Sequence, residues 1–243
     1  MIATLLLIAA LQSDAGGLQT LTRVEDRACT GDGAWCVGLA QGVQDGEPVV
    51  RPVLRRGDAS LADKPADSEV ESFHPWTGLI RLGDGGALAG VQVETRSMYS
   101  GGGGQATELR LYRLDGRGDA ASTPVLSVPI QGSLMIRACF SEEDMTQRAG
   151  ACHDEYGFEG VLTVEAQAGE TLPVLTYATT ATAYPRGASR SEDSLEKPPL
   201  KPADLITVRD PKCSFTRRFT FDAAAGEYRP DRKLPDCSDY TTP

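Results

Sequence analysis

The chain has 243 residues, 40% of them hydrophobic and 24% charged, proportions ordinary for a globular protein with a buried core. Lys and Arg number 24 against 34 Asp and Glu, a net charge of −10, which argues against nucleic acid and against an anionic membrane surface as partners. The 2 histidines leave little for metal or general-base chemistry, so neither a metal nor a cofactor is expected.

In chain order, Ile2 to Leu11 read IATLLLIAAL, an apolar run too short to span a bilayer and suited to the h-region of a secretory signal. Ser13 and Ala15 put small residues at the −3 and −1 positions of a cleavage site, so residues 1–15 are expected to be a signal peptide. The start of this run carries no Lys or Arg, and no Cys follows it that could take a lipid anchor. No later stretch is apolar over 18 residues, so no membrane span is expected in the mature chain. The reading is a periplasmic or secreted protein with one domain over 16–243.

The cysteines agree with export. Cys29, Cys36, Cys139, Cys152, Cys213 and Cys237 form three local couples along the chain, and an even count behind an export signal reads as disulfides. The pairs expected are Cys29–Cys36, Cys139–Cys152 and Cys213–Cys237. None has the close-set spacing of a zinc site.

Polar and apolar residues alternate with a period of two. Val91, Val93 and Thr95 oppose Gln92, Glu94 and Arg96; Phe219 and Phe221 oppose Arg218 and Thr220; Leu162 and Val164 oppose Val161 and Thr163. Strand-like runs fall at 18–24, 34–40, 48–54, 78–82, 87–99, 107–114, 124–130, 133–140, 156–166, 172–184, 204–209 and 214–222. Turn sequences such as Asp45-Gly46, Gly83-Asp84-Gly85-Gly86 and Asp115-Gly116 separate several of them. One helix is expected near 142–148: Ser141 can cap it, acids fill its first turn, and Gly150 can end it. Residues 55–75 and 186–203, rich in charge, Ser and Pro, read as long loops. The fold class is all-β, built of antiparallel meanders.

A motif recurs. Thr95-x3-Tyr99, a glycine turn, then Arg110-x-Tyr112-x-Leu114-Asp115 matches Thr180-x3-Tyr184, Gly187, then Arg217-x-Phe219-x-Phe221-Asp222. This texture over 88–130 and 172–230 resembles the blades of integrin-type repeat propellers of secreted bacterial proteins. The resemblance implies a propeller-like arrangement, with a two-sheet β-sandwich as the runner-up. The Asp-x-Asp-Gly-Asp-Gly calcium loop of those blades is absent, so metal binding does not carry over.

Chemistry concentrates at 139–155. With Cys139 tied to Cys152, the acids Glu142, Glu143 and Asp144 lie near His153, Asp154 and Glu155, the candidate binding residues; the bland reading is a solvated acidic loop. If those side chains are exposed, replacing His153, Asp154 and Glu155 by Ala leaves the fold intact. No G-x-S-x-G elbow accompanies either histidine, so a Ser-His-Asp triad is not expected. Gly101 to Gly104 lack a following Gly-Lys-Ser/Thr and read as a hairpin turn, not a phosphate loop. Arg56-Gly57-Asp58 and Arg117-Gly118-Asp119 spell RGD, which turn composition alone accounts for. Phe73-His74-Pro75-Trp76 reads as a plug that seats the end of a loop. The function expected is non-catalytic binding of another envelope or extracellular protein or a glycan; the alternative is an envelope-polymer hydrolase using carboxylates of the 142–155 region.

Overall fold

A computed structural model of the chain describes residues 17–44, 46–57, 59, 67–165, 172–192 and 196–243. The expected signal peptide, residues 1–15, lies outside the described residues. The strands in chain order are β1 (Leu18–Thr20), β2 (Thr22–Val24), β3 (Arg27–Cys29), β4 (Trp35–Gln44), β5 (Glu47–Arg56), β6 (Glu71–Arg81), β7 (Ala87–Tyr99), β8 (Gly102–Leu114), β9 (Leu126–Arg137), β10 (His153–Glu165), β11 (Val174–Tyr184), β12 (Val208–Arg209), β13 (Thr216–Asp222) and β14 (Glu227–Pro230). Two short helices accompany them, α1 (Glu142–Gln147) and α2 (Ser238–Thr241). No helix among the described residues is long and apolar enough to cross a membrane.

The fold is all-β and antiparallel, as the period of two requires. A ten-stranded sheet runs β1-β6-β7-β8-β9-β10-β11-β13-β14, with β12 added beside β11, and a four-stranded sheet runs β2-β3-β4-β5. The small sheet packs on one face of β6 to β8: Ala28, Val37, Leu39 and Leu54 meet Leu79, Ala89, Val91 and Leu114. On the opposite face Ile80, Leu88, Leu109 and Leu111 share a second core with Val128, Leu162, Leu175, Tyr177, Phe219 and Tyr228. Both faces of β7 are therefore covered, which is why Ala87-Leu88-Ala89-Gly90-Val91 is continuously apolar where a half-exposed strand alternates. Strands from both ends of the large sheet meet in that second core. The last strand also returns to the entry of β9, where Tyr228 N–H donates to the Val125 carbonyl at 2.7 Å and Tyr228 Oη to the Pro173 carbonyl at 2.8 Å.

Eight of the ten strands, β6 to β11 followed by β13 and β14, run as one continuous meander, with β1 added beside β6 and β12 beside β11. Both copies of the recurring motif lie on neighbouring antiparallel strands, but their registers differ. Tyr112 pairs with Ala89 and Phe219 with Leu175, one residue apart relative to Tyr99 and Tyr184. A one-residue slip turns a side chain to the other face, and the two rings join different cores.

Several boundaries differ from the sequence expectation, each for a packing reason. β9 is a single strand through Gly132, where two runs were expected. A Cβ at Gly132 would sit 2.0 Å from the Tyr240 carbonyl oxygen, so glycine here admits α2 onto the sheet. Gly132→Ala is accordingly expected to lift α2, seen as faster amide exchange at 238–242 and a lower Tm; unchanged exchange would contradict it. Gly102 to Gly104 are extended residues of β8, not a turn; a Cβ at Gly102 would lie 2.4 Å from the Met135 carbonyl oxygen.

Residues 71–75 belong to β6, so the connection after β5 covers 57–70 and not 55–75. Phe73 packs on the small-sheet core and Trp76 on the second core, with the Trp76 ring over Gly78. A bulge between Pro75 and Leu79 makes room for it. A short 3-10 turn, Pro202–Asp204, closes the 186–203 stretch, of which residues 193–195 lie outside the described residues. The three disulfides form as paired by proximity, Cys29–Cys36, Cys139–Cys152 and Cys213–Cys237, and no free cysteine remains.

A second bulge turns β9. Thr107 pairs with Gln131 and Glu108 with Pro129, leaving Ile130 as the extra residue. Before it Val128 faces the second core; beyond it Leu134 and Ile136 join a third cluster with Tyr156, Phe158, Ala181, Cys213 and Tyr240. The changed parity leaves Gln131, Ser133, Met135 and Arg137 exposed on the other side.

Candidate functional site

The segment from Cys139 to Glu155 is an excursion between two paired strands. The Ala138 N–H donates to the Cys152 carbonyl at 2.9 Å and the disulfide closes the base, with the Cα atoms 4.8 Å apart. Ser141 caps α1: its hydroxyl accepts from Asp144 N–H at 3.1 Å, while Asp144 Oδ2 accepts from Phe140 N–H at 2.7 Å and Ser141 N–H at 3.0 Å. These bonds, the Phe140 N–H foremost, hold the Asp144 carboxyl below the usual carboxylate range. Gly150, with φ of +85°, turns the chain back, and its N–H reaches the Met145 carbonyl at 2.9 Å.

The six candidate residues separate into two groups. Glu142, Glu143 and Glu155 are exposed, and His153 is half-buried beside Arg137 on β9. Asp144 and Asp154 are buried, at 6% and 8% exposure, which corrects the reading of a wholly solvated acidic loop. Asp154 is ion-paired with the equally buried Arg148, whose Nε also donates to the Ala151 carbonyl at 2.8 Å. Burial raises the Asp154 carboxyl above its ordinary value, and the Arg148 guanidinium opposes that rise. A variant carrying Asp154→Ala therefore disturbs the fold, contrary to the expectation for the His153, Asp154 and Glu155 triple replacement. The proximity of Arg148 to Asp154 comes from the turn at Gly150.

Residues 185–189, Glu192, Lys197, Pro198 and Leu200 border this pair. Leu200 N–H donates to the Gln147 carbonyl at 2.8 Å, Gln147 Nε2 to the Lys197 carbonyl at 2.9 Å, and Lys197 Nζ lies 2.9 Å from Glu192. Between them is a cavity of about 30 Å³ bordered by Arg148, Asp154, Pro185, Lys197 and Pro198, room for about one water molecule. The outer surface of the excursion carries Phe140 at 72% and Met145 at 53% exposure, with the Arg137 guanidinium 4.9 Å from the Phe140 ring centroid. Composition gave no sign of this apolar exposure, because Phe and Met are ordinarily core residues.

The RGD sequence at Arg117-Gly118-Asp119 is a structural turn. Gly118 has φ of +83°, its carbonyl accepts from Leu54 N–H at 2.9 Å, and Asp119 is ion-paired with Arg55. Arg56-Gly57-Asp58 ends at a residue outside the described set. Among the described residues no three His, Cys, Asp or Glu side chains are grouped to hold a metal ion. Comparison with protein-family models, with curated proteins and with solved structures finds no match.

Proposed function

We propose that the chain is an exported binding protein whose contact surface is the outer face of the 139–155 excursion. The observation that carries this is the exposure of Phe140 and Met145 on a segment held by a disulfide, a capping box and a buried ion pair. An exposed apolar pair with the exposed acids Glu142 and Glu143 between its members in sequence has the composition of a contact patch, apolar groups beside charge. A segment already fixed in shape loses little entropy on binding. Export is supported by three disulfides, which persist in oxidising compartments. The partner class is another envelope or extracellular protein or a glycan.

The hydrolase alternative draws less support, because both acids that the fold buries in this region are engaged. Asp144 accepts the backbone N–H groups of Phe140 and Ser141 at the entry of its helix, and Asp154 is matched by Arg148.

The test is quantitative binding to components of an envelope extract, with the mature chain immobilised. Phe140→Ser with Met145→Ser is expected to weaken capture at least tenfold without altering the melting temperature. Equal capture by parent and variant would remove the excursion from the proposal.

A further inference from the structure

The small sheet ends in β2 and β5, the large one in β1 and β14, and β6 has an open edge over 71–75, where β1 does not reach. An open edge offers backbone N–H and C=O groups to a strand of another chain. In an antiparallel pair these groups turn alternately toward the neighbouring strand and away from it, so every second residue of an edge strand faces outward. Two bonds fix which residues these are in β5. Leu54 N–H donates to the Gly118 carbonyl at 2.9 Å, and Tyr112 Oη donates to the Val50 carbonyl at 3.4 Å. Both partners lie off β4, so the even-numbered positions of β5 face outward. Two of them, Pro48 and Pro52, are proline and have no N–H to offer.

The same arrangement recurs on the other edges. Arg96 N–H donates to the Val70 carbonyl at 2.7 Å, which assigns the bonds toward β7 to even positions and leaves the odd positions of β6 outward. There Ser68 Oγ takes the Glu71 N–H at 2.8 Å, Asp67 Oδ1 takes the Phe73 N–H at 3.1 Å, and Pro75 has none. On β14 the Val125 carbonyl takes the Tyr228 N–H at 2.7 Å, and Pro230, the next outward residue, has none. β1 and β2 are three residues each, a length that offers a partner little to pair with. Over 48–54 of β5, 71–75 of β6 and 228–230 of β14, the outward N–H is absent or engaged at every position but Val50, for which the described residues supply no acceptor.

We propose that Pro48 is a built-in block that keeps β5 from pairing with the β5 of a second copy of this chain. β5 is the longest strand at the end of either sheet, with ten residues, and its first two are exposed. Two copies related by a twofold axis through Val49 would set Val50 of one opposite Pro48 of the other. Glu47 of one would then stand opposite Arg51 of the other, and Val49 opposite Val49, so the side chains favour the pair. The backbone opposes it. With proline at 48 each copy donates only the Val50 N–H across the join, and an N–H at 48 would double the bonds formed. Pro52 removes the donor that a register displaced toward Leu54 would need. This goes beyond the binding surface of the 139–155 excursion and stands or falls separately, because no residue of that segment takes part.

The experiment is sedimentation velocity of the oxidised protein and three variants over a wide range of concentration, with amide exchange at 47–51. Pro48→Thr restores the outward N–H on a strand-favouring residue and should self-associate at least tenfold more tightly than the parent, with slower exchange at 48 and 50. Pro48→Ala restores the same N–H without that preference and should gain at least threefold. Glu47→Thr places the same new residue one position earlier, where the N–H turns toward β4, and should associate no more than the parent. Pro48 is exposed, so these substitutions leave the fold intact, which circular dichroism and the melting temperature check. The proposal is overturned if the parent already dimerises with Val50 protected, if neither Pro48 variant associates more tightly than the parent, or if Glu47→Thr associates as tightly as Pro48→Thr.

Discussion

Asp154→Ala is expected to destabilise the protein by about 3–5 kcal/mol, the range for removing one partner of a buried ion pair. The cost arises on the other partner. Arg148, its side chain 5% exposed, would keep one bond to the Ala151 carbonyl and lose its ion-pair partner. Glu155→Ala, one residue along but exposed, is expected to change stability by no more than about 0.5 kcal/mol. Replacing both members, Arg148→Met with Asp154→Leu, should recover most of the loss, since a well-packed apolar pair avoids the desolvation cost. Urea unfolding of the four variants beside the parent measures all of this. A loss under about 1 kcal/mol for Asp154→Ala would mean that water reaches the pair and that Pro185, Lys197 and Pro198 do not seal it. The same variant bears on function, because Arg148 anchors the end of α1. A looser excursion should bind its partner more weakly even though Phe140 and Met145 are untouched.

Removing the Cys213–Cys237 bridge by double Ala substitution is expected to cost about 3.5 kcal/mol, against about 2.5 kcal/mol for Cys29–Cys36, because the loop it closes is longer. The sequence separations are 24 and 7. The longer bridge holds the C-terminal segment to the sheet. Beyond it α2 is seated by Tyr240, whose hydroxyl donates to Asp210 Oδ2 at 2.9 Å and whose ring meets that of Tyr156 edge-on at 5.7 Å. Limited proteolysis should then cut within 231–243 while the remaining strands stay protected. In Cys29–Cys36 the two residues already pair across β3 and β4, so its removal should leave the small sheet assembled. If losing the shorter bridge costs more than losing the longer one, loop entropy is the wrong account of how these bridges stabilise the fold.

What the amino-acid sequence by itself determined is local. The alternation at Val91 to Ser97 located β7 at 87–99 to the residue, Ser141 with Asp144 marked the helix start, and nearness along the chain paired the cysteines. Each of these signals is carried within a few residues or a short loop, where one interaction dominates. The very short strands β3 and β14 were not legible, since three or four residues show no period. Tertiary structure alone decided which candidate acids are available. Glu142, Glu143 and Glu155 remain on the surface, whereas Asp154, in the same acidic stretch, is buried because Gly150 turns Arg148 onto it and Pro185, Lys197 and Pro198 close over both.

Tertiary structure alone also decided that Gly132 continues β9 instead of ending it, and that Ile130 reverses the parity of that strand. Which residues of β5, β6 and β14 turn their N–H groups to an open edge is likewise set by register, through pairs such as Pro48 with Val43, Pro75 with Val91 and Pro230 with Phe219. The physical reason is that register and burial are sums of many weak contacts between distant residues. A shift of one position reverses every side chain of a strand, and nothing within the strand itself reports which sum is lower.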